Sequence, residues 1–349
     1  MDTTLATPEW QTFTERWWNL RPLRLEFAPR GENGPRLEAL FYEDRRGRLQ
    51  LPDYQPHLPM RFRPTPTSAS WRVERQWLET ARPLVEEMTA RGTRGELTLP
   101  ATMTDPRPWR WAHFRVAPRF TNLIDLPFTW SQADRVVRQQ ASKAERAGFT
   151  CRRTASLDEV LACLGGSQAR KRFRYGIGLE GLELAQRLLG PDAFRAYVCH
   201  APSGEPATAR VLLHRPGGRA LDWMAGTRDP FLRSGATQLL LAHVLQELYA
   251  AGAPGYNSCG ADVESVAYTK LMWGGALVPQ FTIQGYDVHS LRRFAGGWLR
   301  FMRHRAATRR ARVESVVDPA ADAPPGELAA EDAPPDAAGS RRAGGSAGR

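Results

Sequence analysis

The order of apolar segments after Gly148 constrains the fold of this chain more than any other feature. A strand (FTCRRT) leads to two helices, over 157–164 and 179–189, and then to two strands, FRAYVCHAP and ATARVLLHR, that turn around Ser203-Gly204. A third strand, ALDWMAGT, follows the Gly217-Gly218 turn, so the three predict an antiparallel meander. A helix over 236–251 ended by Gly252, the strand GYNSC, a helix over 262–272 ended by Gly274-Gly275 and a last strand pair in LVPQFTIQGYD complete the run. Strands and helices in this order predict an α+β fold, a mixed sheet flanked by helices.

The 349 residues, 42% of them hydrophobic, suffice for two cores, so two domains are expected. Residues 20–130 mix short strands (LRLEFAP, RLEALFYED, WRWAHFRVAP, TNLIDLPF) with a helix over 73–91, separated by Pro-rich turns such as LPDYQPHLP and RPTPTS. This predicts an N-terminal domain over 1–130. A helix over 131–147, with Ser131 as N-cap and Gly148 after its last turn, bridges it to the domain over 148–290. A basic amphipathic helix follows over 291–313: Arg292–Arg312 carry eight arginines and no acid, with Leu291, Phe294, Trp298, Phe301 and Met302 at helical spacing. Such a helix docks its apolar stripe on the domain or meets an anionic membrane or RNA. Residues 314–349 are Pro, Ala, Gly and acid with almost no large apolar side chains, which predicts a disordered tail.

A net charge of +11 favours polyanionic partners: CoA phosphates, tRNA, nucleotide-linked sugars or an anionic membrane surface. Arginine supplies 45 of the 48 basic residues, a bias that reflects genome composition and gives no argument for DNA. The four cysteines form no C-x-x-C pair and no apolar leader is visible, so a reduced, cytoplasmic protein is expected. The seven histidines never fall at metal-ligand spacing, and neither a G-x-S-x-G elbow nor a G-x-x-x-x-G-K-[ST] loop occurs. Gly176-Ile-Gly178-Leu-Glu-Gly181 matches G-x-G-x-x-G, but QARKRFRY before it is no buried strand, so it reads as a glycine-rich start to a helix.

Two segments carry candidate chemistry. RDPFLRSGAT (228–237) precedes the helix from Ala236, where free backbone N–H groups and the helix dipole suit a pyrophosphate. Arg233 would add charge, and Ser234, Gly235, Ala236 and Thr237 would present backbone. A capping turn with Ser234 as N-cap explains the same residues. Lys270 shares a helix face with Val263 and Ala267, so it points inward, either as a fixed cation in a cleft or as a structural ion-pair partner of Glu264 or Asp262.

The run GYNSCGADVESVAYTKLMWGG resembles the strand-to-helix segment of Fem-type, GNAT-related acyltransferases: a small polar and glycine turn, then a helix with aromatic-x-Lys (Tyr268, Lys270) and Gly274-Gly275. KAERAGF, GEPATARVLLH, LPDYQPHLP and RFTNLIDLPF extend the likeness over about residues 40–290. The turn that often reads Asp-Phe-Gly in that family is Asn257-Ser258-Cys259-Gly260 here. The resemblance implies two tandem GNAT-like domains, the second holding the donor. It also implies direct transfer of an acyl group from acyl-CoA, above all acetyl-CoA, to an amine on a small molecule or a cell-envelope precursor. Glu264 and Tyr268 would handle protons, Asn257 would orient by hydrogen bonds and Lys270 would steady charge; no metal is implied. An aminoacyl-tRNA donor and a catalytically inactive GNAT scaffold are the alternatives that the same resemblance carries.

Overall fold

Two sheets organise the chain in the computed structural model, which describes residues 3–171 and 175–285. The expected basic helix over 291–313 and tail over 314–349 lie outside the described residues. Strands β1 (Arg21–Phe27), β2 (Arg36–Glu43), β3 (Leu49–Gln50), β4 (Met60–Arg63) and β5 (Thr93–Arg94) form the first sheet, in the order β1-β2-β3-β5 with β4 paired to β2. The second holds β6 (Leu97–Thr98), β7 (Arg115–Asp125), β8 (Thr150–Thr154), β9 (Phe194–His200), β10 (Pro206–Leu213), β11 (Ala220–Thr227), β12 (Gly255–Asn257) and β13 (Ala276–Gln284), in the order β6-β13-β7-β12-β11-β10-β9-β8. The meander β9-β10-β11 is antiparallel, and β11 runs parallel to β12, so the sheet is mixed as the element order predicts.

Among the described residues eight α-helices flank the sheets: α1 (Pro8–Trp18), α2 (Ser70–Arg91), α3 (Arg107–Trp111), α4 (Arg135–Arg146), α5 (Leu157–Lys171), α6 (Leu179–Ala193), α7 (Ala236–Ala250) and α8 (Glu264–Leu271). Side-chain alternation along β9 splits the second sheet's burial between two cores. Ala196 and Val198 meet α1, α5 and α6, while Tyr197 and Cys199 meet α7. A third core joins β2 and α2 to Ile283 of β13. Trp10 and Phe13 of α1 pack with Leu40 and Tyr42 of β2 and with Trp223 of β11, which seats the first sheet on the second.

Three expectations are corrected. The segment 109–128, read as two strands, is helix α3 followed by the single strand β7, and LVPQFTIQ is one strand rather than a pair. Among the described residues, Pro118 and Pro279 lie where β7 and β13 pair only with each other, so the missing N–H disrupts no second ladder. The cap of α4 is Asp134, whose side chain accepts from the Val136 N–H at 2.7 Å, and Ser131 instead pairs its hydroxyl with that of Thr129. Strands β6 and β7 belong to the sheet that 148–285 builds, so residue 130 does not separate the two sheets.

Candidate active site

Strands β11 and β12 pair at only two positions, Ala220 with Tyr256 and Leu221 with Asn257, and then part. Two local features force the separation. The register of β10 against β11 slips between Val211 and Leu212, leaving Trp223 as the extra residue of a bulge that bends β11. Beyond Asn257 the chain turns away through Ser258-Cys259-Gly260, with Cys259 in the left-handed region at φ 54°. That turn is tied to β7, because the Ser258 N–H donates to the Asn122 carbonyl at 3.0 Å and the Ala261 N–H to that of Phe120 at 2.8 Å. Among the described residues the edge of β11 past Leu221 therefore lacks a strand partner on this side, and the Tyr175 hydroxyl caps its Ala225 carbonyl at 3.2 Å.

The parted strands are rich in buried polar groups. Asn257 Oδ1 accepts from the Thr121 hydroxyl at 2.5 Å and from the Cys259 N–H at 2.8 Å, so this side chain shapes the turn. Lys270 donates to the carbonyls of Ser258 at 2.6 Å, Gly260 at 2.7 Å and Cys259, occupying all three ammonium N–H groups with one turn. Burial lowers its pKa and the Asp222 carboxylate opposes that shift, while three carbonyl acceptors favour the charged form. Neither expected ion-pair partner is used: Asp262 bonds Arg119 at 2.9 Å, and Glu264 is exposed. Burial also pushes the Cys259 thiol up to about 12, which argues against a thiolate nucleophile.

Sequence reasoning missed the pair beside Lys270. Arg210 of β10 bonds Asp222 of β11 and donates to the Tyr256 hydroxyl at 3.1 Å; burial raises the Tyr256 pKa well above its ordinary value. The signal was present as single charges inside the apolar runs ATARVLLH and ALDWMAGT, where a strand buried on both faces has no solvent to offer them.

A cavity opens on each side of the parting. The smaller, about 500 Å³, lies between Leu241 of α7, Thr269 and Lys270 of α8, and Asp222 to Ala225 of β11. The larger, about 920 Å³, is lined by Leu221 and Asn257 together with His57, Phe62, Trp77 and Met103 from the first half of the chain. Adjacent residues on one strand point to opposite faces, so Leu221 and Asp222 place the two cavities back to back at the point of parting.

Of the candidates read from the sequence, Lys270 and Asn257 come together here. Glu264 and Tyr268 line neither cavity, and Tyr268 is 62% exposed. Arg233, Ser234, Gly235, Ala236 and Thr237 stand at the start of α7. Ser234 Oγ accepts from the Ala236 N–H at 3.1 Å and donates to the Phe231 carbonyl at 2.7 Å, so it satisfies the first helical N–H from one residue outside the N-cap, which is Gly235 and not the expected Ser234; Arg233 is exposed. Gly235, at φ 86°, has a local reason of its own, because a Cβ there would lie 2.0 Å from the Gln140 carbonyl oxygen of α4. Gly235→Ala is expected to cost about 1–3 kcal/mol through backbone strain and overpacking. Melting of the ligand-free protein should fall by several degrees, and an unchanged midpoint would refute the close α4–α7 approach. Gly274 is constrained in the same way, a Cβ there falling 1.8 Å from the Gln132 carbonyl oxygen. Gly181 of the G-x-G-x-x-G match makes room for the Trp17 ring. Among the described residues no His, Cys, Asp or Glu group is arranged to hold a metal, and no helix is long and apolar enough to cross a membrane.

No family model matches the sequence, and no curated protein does. Solved structures do match. The C-terminal domain (DUF2156) of an Agrobacterium fabrum protein assigned as a lysylphosphatidylglycerol synthetase aligns with a TM-score of 0.52 and 15% identity, covering 86% of this chain and 93% of that one. FemX aligns with a TM-score of 0.55 and 12% identity, covering 79% of this chain and 91% of that one. The chain thus shares the fold of FemX and of that C-terminal domain, in keeping with the resemblance of its motifs to Fem-type proteins.

Proposed function

We infer that the protein is an N-acyltransferase that moves an acyl group from a thioester donor, acetyl-CoA first among them, directly to an amine. One observation carries this reading: two cavities meet back to back where β11 and β12 part, so a donor and an acceptor can reach one point from opposite faces of the sheet. The smaller cavity lies between α7 and α8 and suits the acyl end of the donor, with Arg233 and the start of α7 near the donor's phosphates. The larger, mostly apolar cavity takes the acceptor, which favours an amine borne on an apolar body. Nitrogen attack on the carbonyl carbon makes an oxyanion, and backbone N–H groups on the unpartnered edge of β11, around Trp223 to Ala225, are the donors available to it. No side-chain nucleophile is needed.

An aminoacyl-tRNA donor is a second reading, favoured by Asp222. Its Oδ1 is buried without a hydrogen-bond partner among the described residues, beside the smaller cavity, where the α-ammonium of an aminoacyl group would complete it. The net charge of +11 suits tRNA as well. Titration calorimetry with acetyl-CoA and with aminoacyl-tRNA separates the two. Acetyl-CoA is expected to bind and to raise the melting temperature. Binding of aminoacyl-tRNA alone would transfer the assignment to that donor, and binding of neither would leave an inactive scaffold.

A further inference from the structure

A direct transfer needs an acceptor for the amine proton, and the two residues that the sequence suggested for it, Glu264 and Tyr268, line neither cavity. The larger cavity contains another group. His57 lines it together with Leu221 and Asn257, the last paired residues before the strands part.

The loop that carries His57 is anchored over the parting at two points. Gln55 Oε1 accepts from the Trp10 indole N–H at 2.8 Å, and the Trp10 ring lies 5.5 Å from that of Trp223, the bulge residue. The Tyr54 ring lies 5.3 Å from that of Tyr175, whose hydroxyl caps Ala225 on the open edge of β11. Gln55 also donates to the His57 carbonyl at 3.0 Å, so the histidine backbone is held by the same side chain that grips Trp10.

The ring itself is held in one form. Nδ1 lies 3.0 Å from the Leu58 carbonyl oxygen, which can only accept, so Nδ1 carries the proton and Nε2 keeps its lone pair. Burial lowers the pKa from the ordinary histidine value of 6.5, with the Leu58 bond opposing, so the ring is neutral near pH 7.

The other charged groups lining the cavity are already engaged. Arg107 holds both carboxylates, Asp105 at 2.8 Å and Glu74, and Arg219 bonds the Ile124 carbonyl at 2.9 Å and Asp125 at 2.7 Å. Arg61 of β4 is a cation and takes no proton.

We propose that His57 is the general base of the transfer, receiving at Nε2 the proton of the attacking amine. This role rests on the acyltransferase reading above. As the N–C bond forms, the nitrogen becomes cationic and strongly acidic, so a weak base suffices. Nε2 takes that proton, the carbon–sulfur bond of the donor breaks, and the leaving thiolate receives the proton from the imidazolium, which restores the neutral ring. A base that must be unprotonated loses activity as pH falls through its pKa, so the acid limb of kcat/KM, once the rate is referred to the unprotonated fraction of the acceptor amine, should lie below 6.5.

The test uses the full chain, acetyl-CoA and a panel of primary amines. His57→Asn keeps a donor for the Leu58 carbonyl and removes Nε2; His57→Gln serves as the second variant. Both are expected to bind acetyl-CoA and melt like the wild type, to transfer on the order of 10²- to 10⁴-fold more slowly, and to lose the acid limb. Side-chain nitrogen NMR of the wild type should show the His57 proton on Nδ1 and titration of Nε2 below pH 6.5. A variant that keeps the wild-type rate or the same acid limb, or a ring protonated on Nε2, would overturn the base role and leave the acyltransferase reading standing. A wild-type chain that neither binds acetyl-CoA nor acylates any amine would overturn that reading, and the base role with it.

Discussion

Arg210→Met is expected to destabilise the protein by about 3–5 kcal/mol, because it strands the Asp222 carboxylate in a site where the two side chains are only 12% and 7% exposed. The Coulomb attraction of a buried pair and the cost of desolvating it are both large, so their difference says little about the pair's net worth. Removal of one partner exposes the cost undiluted. The double variant Arg210→Met/Asp222→Leu should recover most of the loss, since apolar volume then replaces both charges. Chemical denaturation of the wild type, the two single variants and the double variant gives the coupling directly. Single variants within about 1 kcal/mol of the wild type would show that water reaches the pair and screens it. The double variant should fold yet lose transfer activity, because the polar wall of the smaller cavity is gone.

Lys270→Met should lower both stability and turnover, by about 3 kcal/mol for the fold. Three carbonyl oxygens of one turn converge on its ammonium, and bonds to a charged donor contribute about 1.5–3 kcal/mol each without adding fully. Released, the turn at Ser258–Gly260 loses the group that holds Cys259 left-handed, and the gap between β11 and β12 loses its outer wall. Lys270→Arg should not rescue, since a planar guanidinium cannot aim three N–H groups from one nitrogen at three converging oxygens. Melting temperature and turnover measured together decide the role. A Lys270→Met protein that melts normally but fails to turn over would assign the ammonium to the chemistry itself, and one unchanged in both would give it no role.

The meander and the helices after it were legible because Gly204, Gly217 and Gly252 punctuate segments whose apolar period is unambiguous. Each expected boundary there falls within a few residues of the observed one. Strand β7 was not legible as one element: Trp109–Trp111, read as part of a strand, lies in helix α3, and Arg115–Asp125 runs unbroken through Pro118 because it pairs with β13. The face that Lys270 shares with Val263 and Ala267 predicts an inward aim, yet Val263 is 62% exposed and no residue of α8 is buried, so that spacing marked no buried face. Its ammonium is held instead by carbonyls 10 to 12 residues back, on a turn whose course depends on β7. Glu264 and Tyr268 share a helix with Lys270 and were grouped with it. Spacing along one helix tells which residues share a face, and only the tertiary fold tells whether that face meets a cavity or solvent. His57 was set aside with the other histidines for lacking metal spacing. Its place at the parting depends on Trp10, 45 residues from Gln55, and no local pattern encodes that meeting.

The position of β13 bears on how the chain is made. It fills the slot between β6 and β7, and its Thr282 hydroxyl donates to the Ala117 carbonyl, 165 residues earlier. A ribosome delivers both walls of that slot long before the strand that closes it, so the nascent chain carries two unpaired strand edges until residues 276–284 emerge. Open edges are templates for pairing with other chains, and contacts this distant in sequence form slowly. The sheet that frames the candidate active site therefore closes among the last events of synthesis, and until then the half-built protein is the form most exposed to aggregation and most dependent on chaperones.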